Sequence, residues 1–308
     1  MHGLGNDFVI LDSRRNPDLY NDGHCNLTIQ EIQLICHRNF GIGCDQLLLI
    51  EPSTNELADF NYRIYNQDGS PATHCGNGAR CITLYLLNSD NNKQQRITLN
   101  IAGHLVYGSK TDNDLIMVNM GTPSFNPEDV GYSGIANEKN HYRFILNTES
   151  NTNLQTFASN SKLKSPNDKK QNTINFAICS VGNPHAVIEL DDISKLEDDL
   201  TLTTIAQTLQ NSGQFKSGVN VNFYTIDDGK IHLRTFERSC GFTLACGTGA
   251  CATTSYAIWH NLVTSPVTVD MPGGSVEIHW DKHSQLQMLG SATYVFSGEM
   301  SLCMAGYL

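Results

Sequence analysis

The chain repeats itself. Cys75-Gly-Asn-Gly-Ala and Cys246-Gly-Thr-Gly-Ala stand 171 residues apart, and the same interval separates Arg63 from Arg234 and Tyr65 from Phe236. Asn66 therefore corresponds to Glu237. A second pair, Gly5-Asn6-Asp7-Phe8-Val9-Ile10 and Gly182-Asn183-Pro184-His185-Ala186-Val187, is 177 residues apart. A loop that differs by six residues absorbs the change of interval. Two matches in the same order mean two halves with one fold, and 308 residues are enough for two domains of about 150 each.

Each half reads alike. An alternating run (Arg63-Ile64-Tyr65; His232 to Phe236) predicts a strand, then comes a glycine-punctuated turn. An apolar stretch free of Gly and Pro follows, Ala79 to Leu87 and Ala250 to Trp259, and predicts a helix buried on most sides. Further strands are expected at 8–12, 46–50, 97–100, 115–118, 186–189, 219–225, 267–270 and 276–280, with helices at 29–38 and 202–211. The expected class is α/β: two similar halves related by pseudo-two-fold symmetry, each a mixed sheet wrapped around a central helix, with an active site in the cleft between them. Residues 1–119, joined by a C-terminal strand at 293–308, make one half and 120–292 the other. The polar stretch Asn147–Asn172 has no usable periodicity and reads as a long exposed insertion.

Composition excludes several function classes. With 31 acidic against 20 basic side chains the net charge is −11, and no Lys/Arg cluster offers a footprint for nucleic acid or an anionic membrane. No apolar run reaches the roughly 18 residues of a membrane span. The N-terminal residues lack the basic and apolar blocks of a signal peptide, so the expected location is the cytoplasm, where most of the ten cysteines are expected to be reduced thiols. Most of them are small buried hydrophobes.

Cys75 and Cys246 are set apart by their position just ahead of a glycine-flanked turn that opens a helix. Unpaired backbone N–H groups and the helix dipole make such a terminus an anion site, and the same field favours thiolate over thiol. Two copies facing one cleft would hold a carboxylate with a thiol on each side of its α-carbon. That arrangement suits removal of a proton from one face and delivery to the other. A four-thiolate zinc site from Cys75, Cys81, Cys246 and Cys251 is the bland rival, with five and four intervening residues where structural zinc prefers two to four. Neither glycine turn has the dinucleotide or P-loop form.

Taken together, His2 to Phe8, Gly41-Ile-Gly-Cys-Asp-Gln46, Cys75-Gly-Asn-Gly-Ala-Arg80, Gly182-Asn-Pro-His185, Glu237-Arg238 and Ala245 to Cys251 resemble the diaminopimelate epimerase family, nearly end to end and in its order. The resemblance implies a two-thiol epimerisation of LL-diaminopimelate to the meso form, serving lysine and peptidoglycan synthesis without pyridoxal phosphate, other cofactor or metal. It implies a small-molecule substrate and admits a homodimer. In the LL-to-meso direction Cys75 is the implied proton donor and Cys246 the acceptor. Gly76, Asn77, Gly247 and Thr248 match backbone donors around the reacting carboxylate. Asn66, Asn183, Asn220, Glu237 and Arg238 match the groups that grip the distal amino-acid head. Asn6, Gln46 and His185 match further active-site positions. Taken singly, Asn6, Asn66 and Asn220 would read as turn residues and His185 as a hydrogen-bonded core histidine.

Three departures stand out. After Glu-Arg the family usually carries a second acidic residue where this chain has Phe242, which removes a charge and adds bulk near the expected cleft. The chain begins at the His-Gly motif, and the 147–172 stretch is long for the family. Rival readings are a racemase of another amino acid on the same scaffold and a non-catalytic amino-acid-binding protein. The second is expected to have lost one of the two thiols, and both are present.

Overall fold

A computed structural model of the chain describes residues 1–21, 24–89, 94–134, 141–145, 173–238 and 240–302. The polar stretch Asn147–Asn172 lies outside them. The chain divides into two compact units, Met1–Asn119 with Leu289–Leu308, and Met120–Met288.

In the first unit β1 (Asn6–Asp12) runs parallel to β2 (Gln46–Pro52), with Phe8 beside Gln46 and α1 (Ile29–Cys36) in the connection. β3 (Phe60–Asn66) returns antiparallel to β2 and pairs Asn66 with Gln46. After α2 (Gly76–Leu87), β4 (Arg96–Ile101) lies parallel to β3. β5 (His104–Lys110) and β6 (Ile116–Asn119) add antiparallel neighbours. Leu47, Leu48, Leu49 and Ile50 are all fully buried, which is why β2 reads as a continuous apolar run rather than an alternating one.

The second unit has the same order of elements. β7 (His141–Ile145) and β8 (Thr173–Ser180) precede β9 (Pro184–Glu189), which is parallel to β10 (Asn220–Asp227) with His185 beside Asn220. α3 (Asp199–Gln210) lies in that connection. β11 (Lys230–Glu237) returns antiparallel to β10, α4 (Gly247–Trp259) follows, and β12 (Val267–Met271) lies parallel to β11 with β13 (Gly274–His279) antiparallel beyond it.

The predicted elements stand with shifted ends, and each shift has a cause. α1 stops at Cys36, before the expected 38, because the following loop folds back on it: Ile42 and Gly43 both donate to Ile35 O and Cys44 donates to Cys36 O. Gly41 makes that return possible, since a Cβ there would stand 1.7 Å from Leu34 O. α3 starts three residues before the expected 202, capped by the Asp198 carboxylate on Thr201 N–H. α2 and α4 begin at Gly76 and Gly247, three residues early, because the preceding cysteine caps each of them. α4 buries twelve of its thirteen residues and α2 ten of twelve. Neither has a solvent-exposed face, so each is the core around which its unit's strands pack. Among the described residues no helix is long and apolar enough to cross a membrane.

Candidate active site

Cys75 is the N-cap of α2, with extended backbone (φ −152°, ψ 104°). Its sulfur accepts the Gly78 N–H at 3.3 Å, and its S–H points to Asn6 Oδ1 at 3.9 Å. By helix geometry the first-turn N–H groups have no intrahelical acceptor, so the sulfur takes one and the turn keeps a net donor character. Asn6 Oδ1 also accepts from Asn77 Nδ2 at 3.2 Å, and Asn6 Nδ2 donates to Asp45 Oδ2 at 2.8 Å. Arg80, fully buried, donates to Asn77 Oδ1 at 2.9 Å and to Ser291 O at 3.2 Å. Arg38 closes the outer end, bidentate on Asp7 at 2.8 and 2.9 Å and 2.7 Å from Asp45. Both faces of the Asn6 amide are thus fixed. A few residues along the sheet, Gln46 Nε2 donates to Asn66 Oδ1 at 3.0 Å, and Asn66 Nδ2 donates to Ser70 Oγ at 3.0 Å.

Cys246 occupies the same post on α4, with φ −116° and ψ 105°. Its sulfur accepts the Gly249 N–H at 3.4 Å and lies 3.4 Å from Thr248 Oγ1. Asn183 Nδ2 donates to Thr248 Oγ1 at 3.2 Å, and Asn183 Oδ1 is 3.0 Å from His185 Nε2. The duplicated asparagines Asn6 and Asn183 therefore each touch the residue two places after the cysteine, but in opposite senses. Asn6 accepts from Asn77, whereas Asn183 donates to Thr248.

Asn220, Glu237 and Arg238 gather at the ends of β10 and β11. Buried Asn220 accepts the Arg238 N–H on Oδ1 at 3.1 Å, and Arg238 Nη1 donates to Ser217 O at 2.8 Å. Thr243 Oγ1 donates to Glu237 Oε1 at 2.8 Å. This holds one carboxylate oxygen of a half-buried glutamate. Phe242 is partly buried and packs on the second unit's core, edge-on to Phe236 at 5.1 Å and under the Arg234 guanidinium at 4.2 Å. Its bulk goes into that core, a placement the sequence reading did not foresee.

The remaining thiols differ in kind. Burial pushes Cys81 and Cys179 up to about 12, so both stay neutral thiols. Cys44 is raised by its hydrogen bond to Cys36, 3.5 Å away, and by burial. Behind the first turn of α4, buried Asn222 donates to Gly249 O at 3.2 Å and accepts from Thr235 Oγ1 at 3.1 Å. Asp45, Arg80, Thr243, Asn222 and Thr235 went without a role in the sequence reading. Asp45 and Arg80 sit inside the quoted Gly41–Gln46 and Cys75–Arg80 motifs, which was the available signal. For the other three the signal is only that a polar residue stands in an apolar strand or turn.

The family model described as diaminopimelate epimerase matches residues 1–126 and 177–295. The chain belongs to the diaminopimelate epimerase family. It is 35% identical over 306 residues to the diaminopimelate epimerase of Paraburkholderia phytofirmans, covering 98% of this chain and 93% of that protein. It is 34% identical over 304 residues to that of an Azoarcus species, with 98% and 97% covered. The unmatched interval contains the polar 147–172 stretch. Among solved structures, a Bacillus anthracis phenazine biosynthesis protein of the PhzF family superposes with a TM-score of 0.60 at 16% identity, covering 96% of this chain and 93% of that one. A hydroxyproline epimerase from Agrobacterium vitis gives 0.59 at 16% identity, with 96% and 89% covered. At that identity the likeness is one of fold.

Proposed function

We propose that this chain is an isomerase that converts LL-diaminopimelate to meso-diaminopimelate, in lysine and peptidoglycan-precursor synthesis, with Cys75 and Cys246 as the acid–base pair. The observation that carries the reading is the shared setting of the two thiols, each the N-cap of the buried helix of its half, within a family match along both halves. One sulfur, as thiolate, takes the α-proton, and the opposite thiol gives its own proton to the other face of the same carbon. The two sulfurs exchange states in each turnover, and no cofactor is needed to carry the proton. The carbanion-like transition state places charge on the reacting carboxylate. First-turn N–H groups at Gly76, Asn77, Gly247 and Thr248 suit that charge through the helix dipole.

Asn66, Asn183, Asn220, Glu237 and Arg238 hold the distal head in this reading. Arg238 pairs with its carboxylate, and Glu237, steadied by Thr243, takes its ammonium. Asn6 and Gln46 position the Cys75 side. Nine free cysteines among the described residues suit a reducing compartment, and we place the enzyme in the cytoplasm. Incubation of reduced, folded protein with LL-diaminopimelate, followed by chiral chromatography, tests the reading. Meso product is expected. Its absence, or faster turnover of amino acids with a single head, would overturn it.

A further inference from the structure

We infer that Asp68 and Ser70 are positioning residues that decide which end of the Gln46 side-chain amide the substrate meets: its oxygen, an acceptor suited to an ammonium. The inference rests on the proposed role of Gln46 and Asn66 in substrate binding and adds to it residues outside that set.

β3 ends at Asn66, and the chain turns through Gln67-Asp68-Gly69 to Ser70. Asn66 N–H donates to Ser70 O and Gly69 N–H to Asn66 O, both at 2.9 Å. Gly69 supplies the left-handed φ of 83° that this turn requires. Side chains tie the turn to its surroundings. Gln33 Nε2, on α1, donates to Asp68 O at 2.9 Å, and Gln67 Nε2 donates to Cys44 O at 2.9 Å, two residues before Gln46.

On this held turn the side-chain bonds run in one sense only. Exposed Asp68 accepts the Ser70 N–H at 2.8 Å and the Ser70 hydroxyl at 2.6 Å, both on Oδ1. Those two bonds keep its carboxyl below the usual range, so at neutral pH it is a carboxylate and can only accept. A hydroxyl has a single hydrogen. With that hydrogen on Asp68, Ser70 Oγ can only accept from Asn66, which turns Nδ2 toward it at 3.0 Å. Asn66 Oδ1 then faces Gln46, and Gln46 must answer with Nε2, at 3.0 Å. Gln46 Oε1 is left over, with no donor on it among the described residues.

The same heavy atoms admit the opposite sense, with both amides flipped. Gln46 would then offer an NH2, a donor suited to a carboxylate. That sense needs the Ser70 hydrogen on Asn66 Oδ1. It would leave Ser70 Oγ and Asp68 Oδ1 2.6 Å apart with no hydrogen between two electron-rich oxygens. Asp68 forbids it. An exposed carboxylate, two amides away from Gln46 Oε1, thus sets the polarity of that position.

The test compares wild type with Ser70→Ala, Asp68→Ala and Asp68→Asn. Water exchange of the Gln46 NH2 hydrogens is read by NMR on 15N-labelled protein, the signal being assigned by its loss in Gln46→Glu. Ser70→Ala and Asp68→Ala free the sense of the chain and should speed this exchange about fivefold, the weight of one neutral hydrogen bond. Asp68→Asn, whose Oδ1 can still accept both bonds, should exchange as wild type does. Asp68 is exposed, so its variants decide the matter if Ser70→Ala does not fold. Unchanged exchange in the alanine variants, or equal acceleration in Asp68→Asn, would overturn the inference. In turnover, the alanine variants should raise KM for LL-diaminopimelate about tenfold, as for a lost bond to a charged group, with kcat little changed. Heptanedioate, which has both carboxylates and no ammonium, should inhibit them at least as well as wild type. Equal weakening of the two ligands, or a fall in kcat in place of the rise in KM, would also overturn it. Water exchange needs no substrate, so that arm stands apart from whether diaminopimelate is turned over.

Discussion

Cys75 and Cys246 hold one post in two settings: each caps its helix by accepting the N–H three residues on, from Gly78 at 3.3 Å and from Gly249 at 3.4 Å. Beneath the first lies an apolar wall and beneath the second a hydrogen-bonded one. That difference separates otherwise equivalent substitutions.

Gly249→Ala should destabilise the fold by about 1–3 kcal/mol, since its Cβ drives into buried polar atoms that cannot yield without breaking their bonds. Gly78→Ala meets the two methyl groups of Leu48 and the Cys75 sulfur at 3.3–3.4 Å and should cost less than about 1 kcal/mol beyond the propensity change. Urea midpoints of the two variants check this, and equal midpoints would contradict it.

Stability should fall as the medium is acidified, in two steps. Burial, with His104 adding repulsion, pushes His74 down to about 4. Between its unfolded value near 6.5 and 4 the unfolded chain binds a proton that the native state refuses, so native stability is lost as pH falls through that window. Burial alone would raise Asp12, but Arg14, with its guanidinium and N–H, and the Tyr85 hydroxyl hold it below the usual carboxylate range. Its contribution persists until the pH drops below about 4 and is then lost. In His74→Gln the decline between pH 6.5 and 4 should flatten while the lower step remains. A denaturation midpoint that declines identically in both proteins would refute the assignment to His74.

Phe242→Glu, which restores the acidic residue usual in the family, should cost about 2 kcal/mol of stability, because the ring it replaces packs on Phe236. The Arg234 guanidinium over the ring offers the new carboxylate a partner and limits the loss. At saturating substrate, turnover should change little and substrate affinity more. A collapse of kcat by orders of magnitude would show that Phe242 belongs to the reacting site.

The duplication made most of this fold legible before any coordinates. Once Cys75 and Cys246 were aligned, the strand-turn-helix order of one half predicted that of the other. β2 was readable as an apolar run because both its faces are buried. Helix starts at 76 and 247 were not, because a cysteine is a rare cap and glycine a poor helix former. The bond is visible only once sulfur and N–H are placed. The motif residues were legible as a set, but their linkage was not. That Asn6 is held by Asp45, and Asn183 by Thr248, depends on residues brought together from 39 and 65 positions apart. Asn222 was invisible for another reason. In a strand that alternates two asparagines with apolar residues, one faces Arg238 N–H and the other the helix, and sequence does not rank them.

The central claim is that two thiols, one per face, move the α-proton. In D2O, LL-diaminopimelate should give early meso product carrying deuterium at Cα, while recovered LL-substrate carries almost none, because the delivered hydrogen comes from a solvent-exchanged sulfur and the abstracted one stays on the other. Cys75→Ala and Cys246→Ala should each lower epimerisation by at least the roughly 10²–10⁴ of a general acid–base group. Equal early deuterium in substrate and product of the unaltered enzyme would contradict the paired-thiol account.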